Sequence, residues 1–340
     1  MDYQVDNELQ EKINGLIDSS DVPHGAQLKQ MVQNLFRIAH ENSDPHDVNM
    51  IMHTLKELRH SYRVFLPFRD VRKVCIFGSA RTKPSHPAYQ ITEEFASLIT
   101  RKGYMVITGA GGGIMEAGNK GSEVNMSFGA NILLPFEQSP NPFINGDPKL
   151  VSFKYFFNRK LTFIKESDAT VLSPGGFGTH DEAFEVLTLV QTGRCAPRPI
   201  ILLSAPGDTY WDKWVDFVHD ELLGQHYISD DDLYLFRNLQ SAEAAAAHIE
   251  QFYRRYHSIR YHDSMTIIRL SHPLSPRALA DMNQKFASLL IKGTIEQVDS
   301  DSLTMDQPVF PGLPRLILHY NRHTFGKLYE IIDYINHVPD

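Results

Sequence analysis

Cysteine is nearly absent from this chain: its 340 residues include two, Cys75 inside an apolar run and Cys195 beside Arg194. Two thiols so placed supply neither a disulfide framework nor a cysteine-based zinc site, and both are expected to be reduced. A membrane-length apolar run is lacking too, since no stretch approaches the ~18 residues a bilayer span needs. The start, MDYQVDNELQ, has neither the basic nor the apolar region of a signal peptide, which points to a cytoplasmic protein. Positive charge is in deficit, with 33 Lys plus Arg against 41 Asp plus Glu and a net charge of −8. That balance gives no electrostatic reason to seek nucleic acid or an anionic membrane. Low-complexity sequence is limited to the alanine run 244–247, and no internal repeat is found.

What is present is the composition of a globular protein, with 42% hydrophobic residues, and a length that at ~150 residues per domain suggests two or three domains. Residues 1–66 carry three apolar stripes at spacings of three and four: Leu9, Ile13, Leu16 and Ile17; Leu28, Met31, Val32 and Leu35; Val48, Ile51, Met52, Leu55 and Leu58. Each set occupies one helix face, so a helical N-terminal extension is expected. At Lys73 the texture changes. KVCIFGSA, YMVITG, FGANILLP, DATVLSP, RPIILLS and LYLFRN read as six strands separated by helical patterns. This alternation predicts an α/β fold over 67–258, a doubly wound, mostly parallel Rossmann-like sheet. From 259 to 340 the pattern gives SMTIIRL, a helix through Leu279 and Phe286, a strand at 294–298, RLILHYN and a helix through Leu328 and Ile335. A small βαββα C-terminal unit of α+β type is expected there.

Three glycine-containing segments follow predicted strands: Gly78-Ser79-Ala80-Arg81, Gly109-Ala110-Gly111-Gly112-Gly113 and Pro174-Gly175-Gly176-Phe177-Gly178-Thr179. Glycine lets backbone approach a ligand closely, and the free N–H groups of a helix start attract an anion. Each turn alone is also what any α/β protein uses. Three at the carboxyl edge of one sheet point to a phosphorylated ligand. The third turn, after the fourth of the six expected strands, admits two readings. Thr179-His180-Asp181-Glu182 fits a capping box, with Thr179 as N-cap and Glu182 reaching back. Alternatively, Thr179 contacts the phosphate and Glu182, one turn on, meets the sugar of the same nucleotide, with Glu185 behind it. Asn158-Arg159-Lys160 lies on the helix preceding DATVLSP, either as a solvated surface pair or returning toward the same edge.

Pro174-Gly175-Gly176-Phe177-Gly178-Thr179-His180-Asp181-Glu182 resembles the PGGxGTxxE signature of the LONELY GUY (LOG) family of nucleoside 5′-monophosphate phosphoribohydrolases, which also carries the label possible lysine decarboxylase. Asn158-Arg159-Lys160 resembles that family's Arg-Lys element, at a similar offset of 182 − 159 = 23 residues from Glu182. Gly78-Ser79 is similar to its first turn, and Gly111-Gly112-Gly113-Ile114-Met115-Glu116-Ala117 to its second glycine loop. The resemblance extends over residues 70–255. It implies hydrolysis of the N-glycosidic bond of a nucleoside 5′-monophosphate to free base and ribose 5-phosphate. Arg159 and Glu182 would be the catalytic pair and Gly175, Gly176, Gly178 and Thr179 the phosphate cradle. Gly78, Ser79, Gly112, Gly113, Met115, Glu116, Lys160 and Glu185 would be further substrate contacts. It also implies a homo-oligomer, with no cofactor and no metal. The compact plant-type members lack the helical extension and the C-terminal unit, and His180-Asp181 stands where Leu-Glu is commoner. Longer bacterial relatives that act on ordinary nucleotides are therefore the better comparison, with a purine such as AMP or GMP favoured and a cytokinin riboside monophosphate as the modified-adenine case.

Other readings have less behind them. A non-catalytic nucleotide-binding sensor module of the same fold is the main alternative. A pyridoxal-phosphate decarboxylase would need a Schiff-base lysine, for which Lys160 is the candidate. His319 and His323 have a helical metal-pair spacing but straddle a predicted strand-to-helix turn, and Asp230-Asp231-Asp232 reads as a solvated acidic turn.

Overall fold

A computed structural model of the chain describes residues 7–41, 44–134, 139–299, 310–321 and 325–339. Contacts divide the chain into two compact units, 1–62 and 63–340. The first holds helices α1 (Asn7–Ser19) and α2 (Gly25–Glu41) and most of α3 (Pro45–Phe65), where the three apolar stripes put them. In α1 the stripe buries Ile13 and Ile17.

The second unit begins with a seven-stranded parallel sheet: β1 (Lys73–Phe77), β2 (Met105–Thr108), β3 (Ser127–Ile132), β4 (Leu150–Phe153), β5 (Ala169–Leu172), β6 (Ile200–Leu203) and β7 (Arg237–Leu239). The order is β4-β3-β2-β1-β5-β6-β7. Strands covered by helices on both faces need apolar side chains on both, and β1, β2, β5 and β6 are almost wholly buried and mostly apolar for that reason. The helices are α4 (Pro87–Arg101), α5 (Ile114–Gly121), α6 (Phe156–Glu166), α7 (Phe177–Gln191), α8 (Tyr210–Phe217) and α9 (Ala242–Phe252). The expectation of six strands is corrected to seven. The additional one is β4, whose LVSF is short, exposes Ser152 and forms the sheet edge, so it lacks the signature of a buried strand. The PGGFGT turn accordingly follows the fifth strand, not the fourth.

A second, antiparallel sheet contains β8 (Tyr256–His262), β9 (Met265–Leu270), β10 (Leu290–Val298) and β11 (Arg315–Tyr320) in the order β10-β11-β9-β8, with α10 (Pro276–Phe286) and α11 (Phe325–His337). The unit is thus ββαββα. Strand β8 has mixed, half-buried residues and no apolar run, and the boundary expected at 258/259 falls inside it. One apolar core runs from Leu202 and Trp211 through Phe252 to Ile268, Leu316 and Ile332. Among the described residues no helix is long and apolar enough to cross a membrane.

In the parallel sheet β1 lies between β2 and β5, in register at Ile76 with Thr108 and at Phe77 with Leu172. From β1 the chain winds outward through β2, β3 and β4 on one side, then returns to continue through β5, β6 and β7 on the other. Loops leaving the carboxyl ends of β1 and β5 must therefore diverge, and a crevice opens between them.

Candidate active site

The three glycine turns meet at that crevice, a cleft of about 860 Å³. The first turn lies between the other two and is bonded to both. Ser79 N–H donates to the Pro174 carbonyl at 3.1 Å, and Ile114 N–H donates to the Ser79 carbonyl at 3.0 Å. This packing leaves no room for side chains at two positions. A Cβ on Gly175 would sit 2.1 Å from Thr179 Oγ1 and 2.9 Å from Ser79 N, and one on Gly113, at φ +64°, would sit 2.3 Å from the Ser79 carbonyl oxygen. Gly176 and Gly178 face open space instead.

Helix α7 starts earlier than the capping-box reading requires. Its N-cap is Gly176, with no side-chain cap, and Thr179 is the third helical residue. Glu182 therefore lies beyond the first turn and cannot cap the helix. The glycines let the chain enter the helix at Phe177; Thr179 N–H already donates to the Gly176 carbonyl at 3.0 Å, and the amides of Phe177 and Gly178 ahead of it have no intrahelical partner. An uncapped amino end of a 15-residue helix, opening on a cleft, offers an anion free donors and the favourable end of the helix dipole.

Glu182 is 4% exposed yet lines the cleft. Burial pushes its carboxyl up to about 7, against the opposing pull of Lys160 and Arg159. Arg159 reaches the cleft from α6, its guanidinium carbon 5.1 Å from the centre of the Phe156 ring and 5.6 Å from that of Phe163. Burial works to lower its pKa while Glu182 and Asp181 raise it, and a guanidinium stays cationic throughout. Its Nε is buried with no hydrogen-bond partner. A desolvated cation with an unused donor beside an uncapped helix start suits an anionic, oxygen-rich ligand.

Lys160 is otherwise engaged. Its Nζ lies 2.6 Å from Glu185, 2.9 Å from Asp181 and 3.6 Å from Glu182. Burial alone would lower Lys160, but the bonds from Glu185 and Asp181 outweigh it and hold the ammonium above its ordinary value. Lys160 and Glu185, expected as substrate contacts, thus form an ion-pair cage behind Glu182.

The remaining expected contacts divide. Gly78, Ser79, Met115, Gly175, Gly176, Gly178 and Thr179 line the cleft with Arg159 and Glu182. Gly112 and Gly113 do not: Gly113 is packed under Ser79 and Ala80, and Gly109 and Gly111 form that wall in their place. Glu116 accepts a hydrogen bond from Tyr89 Oη at 3.0 Å, away from the cleft. One residue along a helix is a turn of about 100°, so Met115 and Glu116 cannot face the same way.

Sequence reasoning missed Arg81, Phe156 and His180 as cleft-lining side chains and Tyr210 and Asn141 as supports. Asn141 Nδ2 donates to the Ala110 and Gly111 carbonyls at 3.1 and 3.0 Å, fixing the second glycine turn. Tyr210 Oη donates to the Gly175 carbonyl at 2.5 Å. The Pro-flanked Asn141 was the one available signal for these supports.

Among the described residues no group of His, Cys, Asp and Glu could hold a metal ion. His323 lies outside the described residues, and His319 Nδ1 contacts Ser264. In the acidic turn, Asp232 completes a capping box with Ser229, and Asp231 pairs with Lys327 at 2.9 Å.

A family model described as possible lysine decarboxylase matches residues 107–249. The cytokinin riboside 5′-monophosphate phosphoribohydrolase LOG of Oryza sativa subsp. japonica is 25% identical over 192 residues, 54% of this chain and 75% of that protein. Its counterpart LOG1 of Arabidopsis thaliana is 27% identical over 194 residues, 55% of this chain and 87% of that protein. Among solved structures, the X-ray structure of TM1055 is 24% identical and covers 53% of this chain and 99% of that one, with a TM-score of 0.40.

Proposed function

The chain belongs to the LOG family, and from that membership and the cleft we propose that it hydrolyses the N-glycosidic bond of nucleoside 5′-monophosphates, giving free base and ribose 5-phosphate. The observation that carries the reading is the placement of Glu182, buried and facing the cleft, one turn along the uncapped helix whose amino end is built to take a phosphate.

Cleavage builds positive charge on the ribose ring and negative charge on the departing base. The 5′-phosphate docks on the loop 174–179 and the first amides of α7, and that binding energy positions the reacting bond. Ionised Glu182 faces the anomeric carbon, stabilises the developing oxocarbenium ion and orients the attacking water. Arg159 supplies fixed positive charge to the anionic ligand; as a permanent cation it is no proton donor at neutral pH. The Asp181–Lys160–Glu185 cage holds Glu182 in place. That cage also speaks against Schiff-base chemistry at Lys160, which needs an unprotonated amine, whereas here carboxylates favour the ammonium.

The substrate we propose is an ordinary purine monophosphate such as AMP or GMP. The protein we propose to be a homo-oligomer, since Phe177 is 96% exposed and Phe156, Phe157 and Leu161 are also exposed near the cleft. The test is incubation with a panel of nucleoside 5′-monophosphates and the matching nucleosides, followed by chromatography, with light scattering on the same sample. Expected are free base and ribose 5-phosphate from a purine monophosphate, little from the nucleoside, and a mass above one chain. Tight binding without turnover across the panel would favour a nucleotide sensor instead.

A further inference from the structure

The fourth residue of α7 is His180, which lines the cleft, and α8 begins with Tyr210. Tyr210 Oη lies 2.7 Å from His180 Nε2 and 2.5 Å from the Gly175 carbonyl oxygen. A carbonyl only accepts, so the one phenolic proton goes to Gly175. The phenolic oxygen then accepts from His180, which places a proton on Nε2. The Tyr210 ring is fixed in turn, edge-on to Trp211 at 4.9 Å, and Trp211 is fully buried.

The Gly175 carbonyl shares a planar trans peptide with the Gly176 N–H, so the two point in opposite directions and fixing one fixes the other. Gly175 has no slack of its own, with Thr179 Oγ1 and Ser79 N filling the place a Cβ would take, whereas Gly176 is exposed in the cleft. We infer that Tyr210, held by His180, is a positioning residue that braces the phosphate loop by aiming the Gly176 amide at the ligand's phosphate. This rests on the reading of loop 174–179 as a phosphate site. It adds a chain of contacts from α8, across His180, to the backbone donor that meets the anion.

The brace acts on the phosphate and on nothing else in the substrate. In Tyr210→Phe the ring still packs on Trp211 and only the hydroxyl is lost. Calorimetry with ribose 5-phosphate is expected to give a Kd about fivefold to tenfold weaker than wild type, the size of one hydrogen bond. KM for AMP is expected to rise in the same proportion with kcat within about threefold, while kcat/KM for adenosine stays at the wild-type value. His180→Gln, which keeps an N–H where Nε2 stood, is expected to retain more affinity than His180→Leu. Equal loss on AMP and adenosine, or ribose 5-phosphate binding by Tyr210→Phe as tight as wild type, would overturn the brace alone. Wild-type protein that does not bind ribose 5-phosphate would overturn the phosphate reading and the brace with it.

Discussion

Replacing Glu182 by glutamine is expected to lower kcat on a nucleoside 5′-monophosphate at least ~100-fold, the scale set by positioned electrostatic and acid–base groups. The carboxamide keeps the shape of the side chain but carries no charge to meet the oxocarbenium ion, so KM changes little. Wild-type activity carries the signature of the same group. With its pKa pushed up to about 7 by burial, Glu182 gains its working charge only as pH rises through that value. The kcat/KM of the wild type is therefore expected to climb with pH below about 7 and level off above it, and the Gln variant to lose that limb. Stability should move the other way. A carboxyl whose folded pKa exceeds its unfolded one binds more protons in the native state, so stability falls as pH rises from the ordinary carboxyl value of 4.5 toward 7. Glutamine removes that cost, and its thermal midpoint at pH 8 is expected to be no lower than wild type. A folded Gln variant with wild-type turnover would contradict the role given to this carboxylate.

Arg159→Ala is expected to lose at least ~100-fold in kcat/KM. Its guanidinium sits against Phe156 and Phe163, largely withdrawn from water, where a charge acts on its partner more strongly than at a solvated surface. The buried Nε without a partner is a donor awaiting an acceptor. Arg159→Lys keeps the charge but not the planar fork, so it is expected to recover only part of the loss. Steady-state kinetics on all three proteins checks this, and unchanged kcat/KM in the Ala variant would remove Arg159 from the site.

The α/β fold was legible because β1, β2, β5 and β6 are buried on both faces, a condition that writes itself as a short, mostly apolar run. Strand β4 escaped because an edge strand with an exposed Ser152 carries no such run. The tight packing of the third glycine turn was legible in its glycines, since Gly175 can be no other residue where Thr179 and Ser79 press on it. The helix start beside it stays open between two readings in the sequence because Thr179-x-x-Glu182 fits a capping box equally well, and only the backbone shows that the helix begins at Phe177. Glu116 was drawn in by its neighbours in the motif, although adjacent helix positions point apart. Tyr210 and Asn141 were out of reach for a different reason: each acts by donating to backbone carbonyls distant in sequence, Gly175 for Tyr210 and Ala110 and Gly111 for Asn141, and a side-chain pattern records nothing of that.

The most direct measurement is a crystal of the wild-type protein soaked with AMP or ribose 5-phosphate. The phosphate is expected on the amides of Gly176 to Gly178, with the pentose against Glu182 and an oxygen of the ligand within hydrogen-bond distance of Arg159. A ligand bound elsewhere, or Glu182 turned from the sugar, would contradict it.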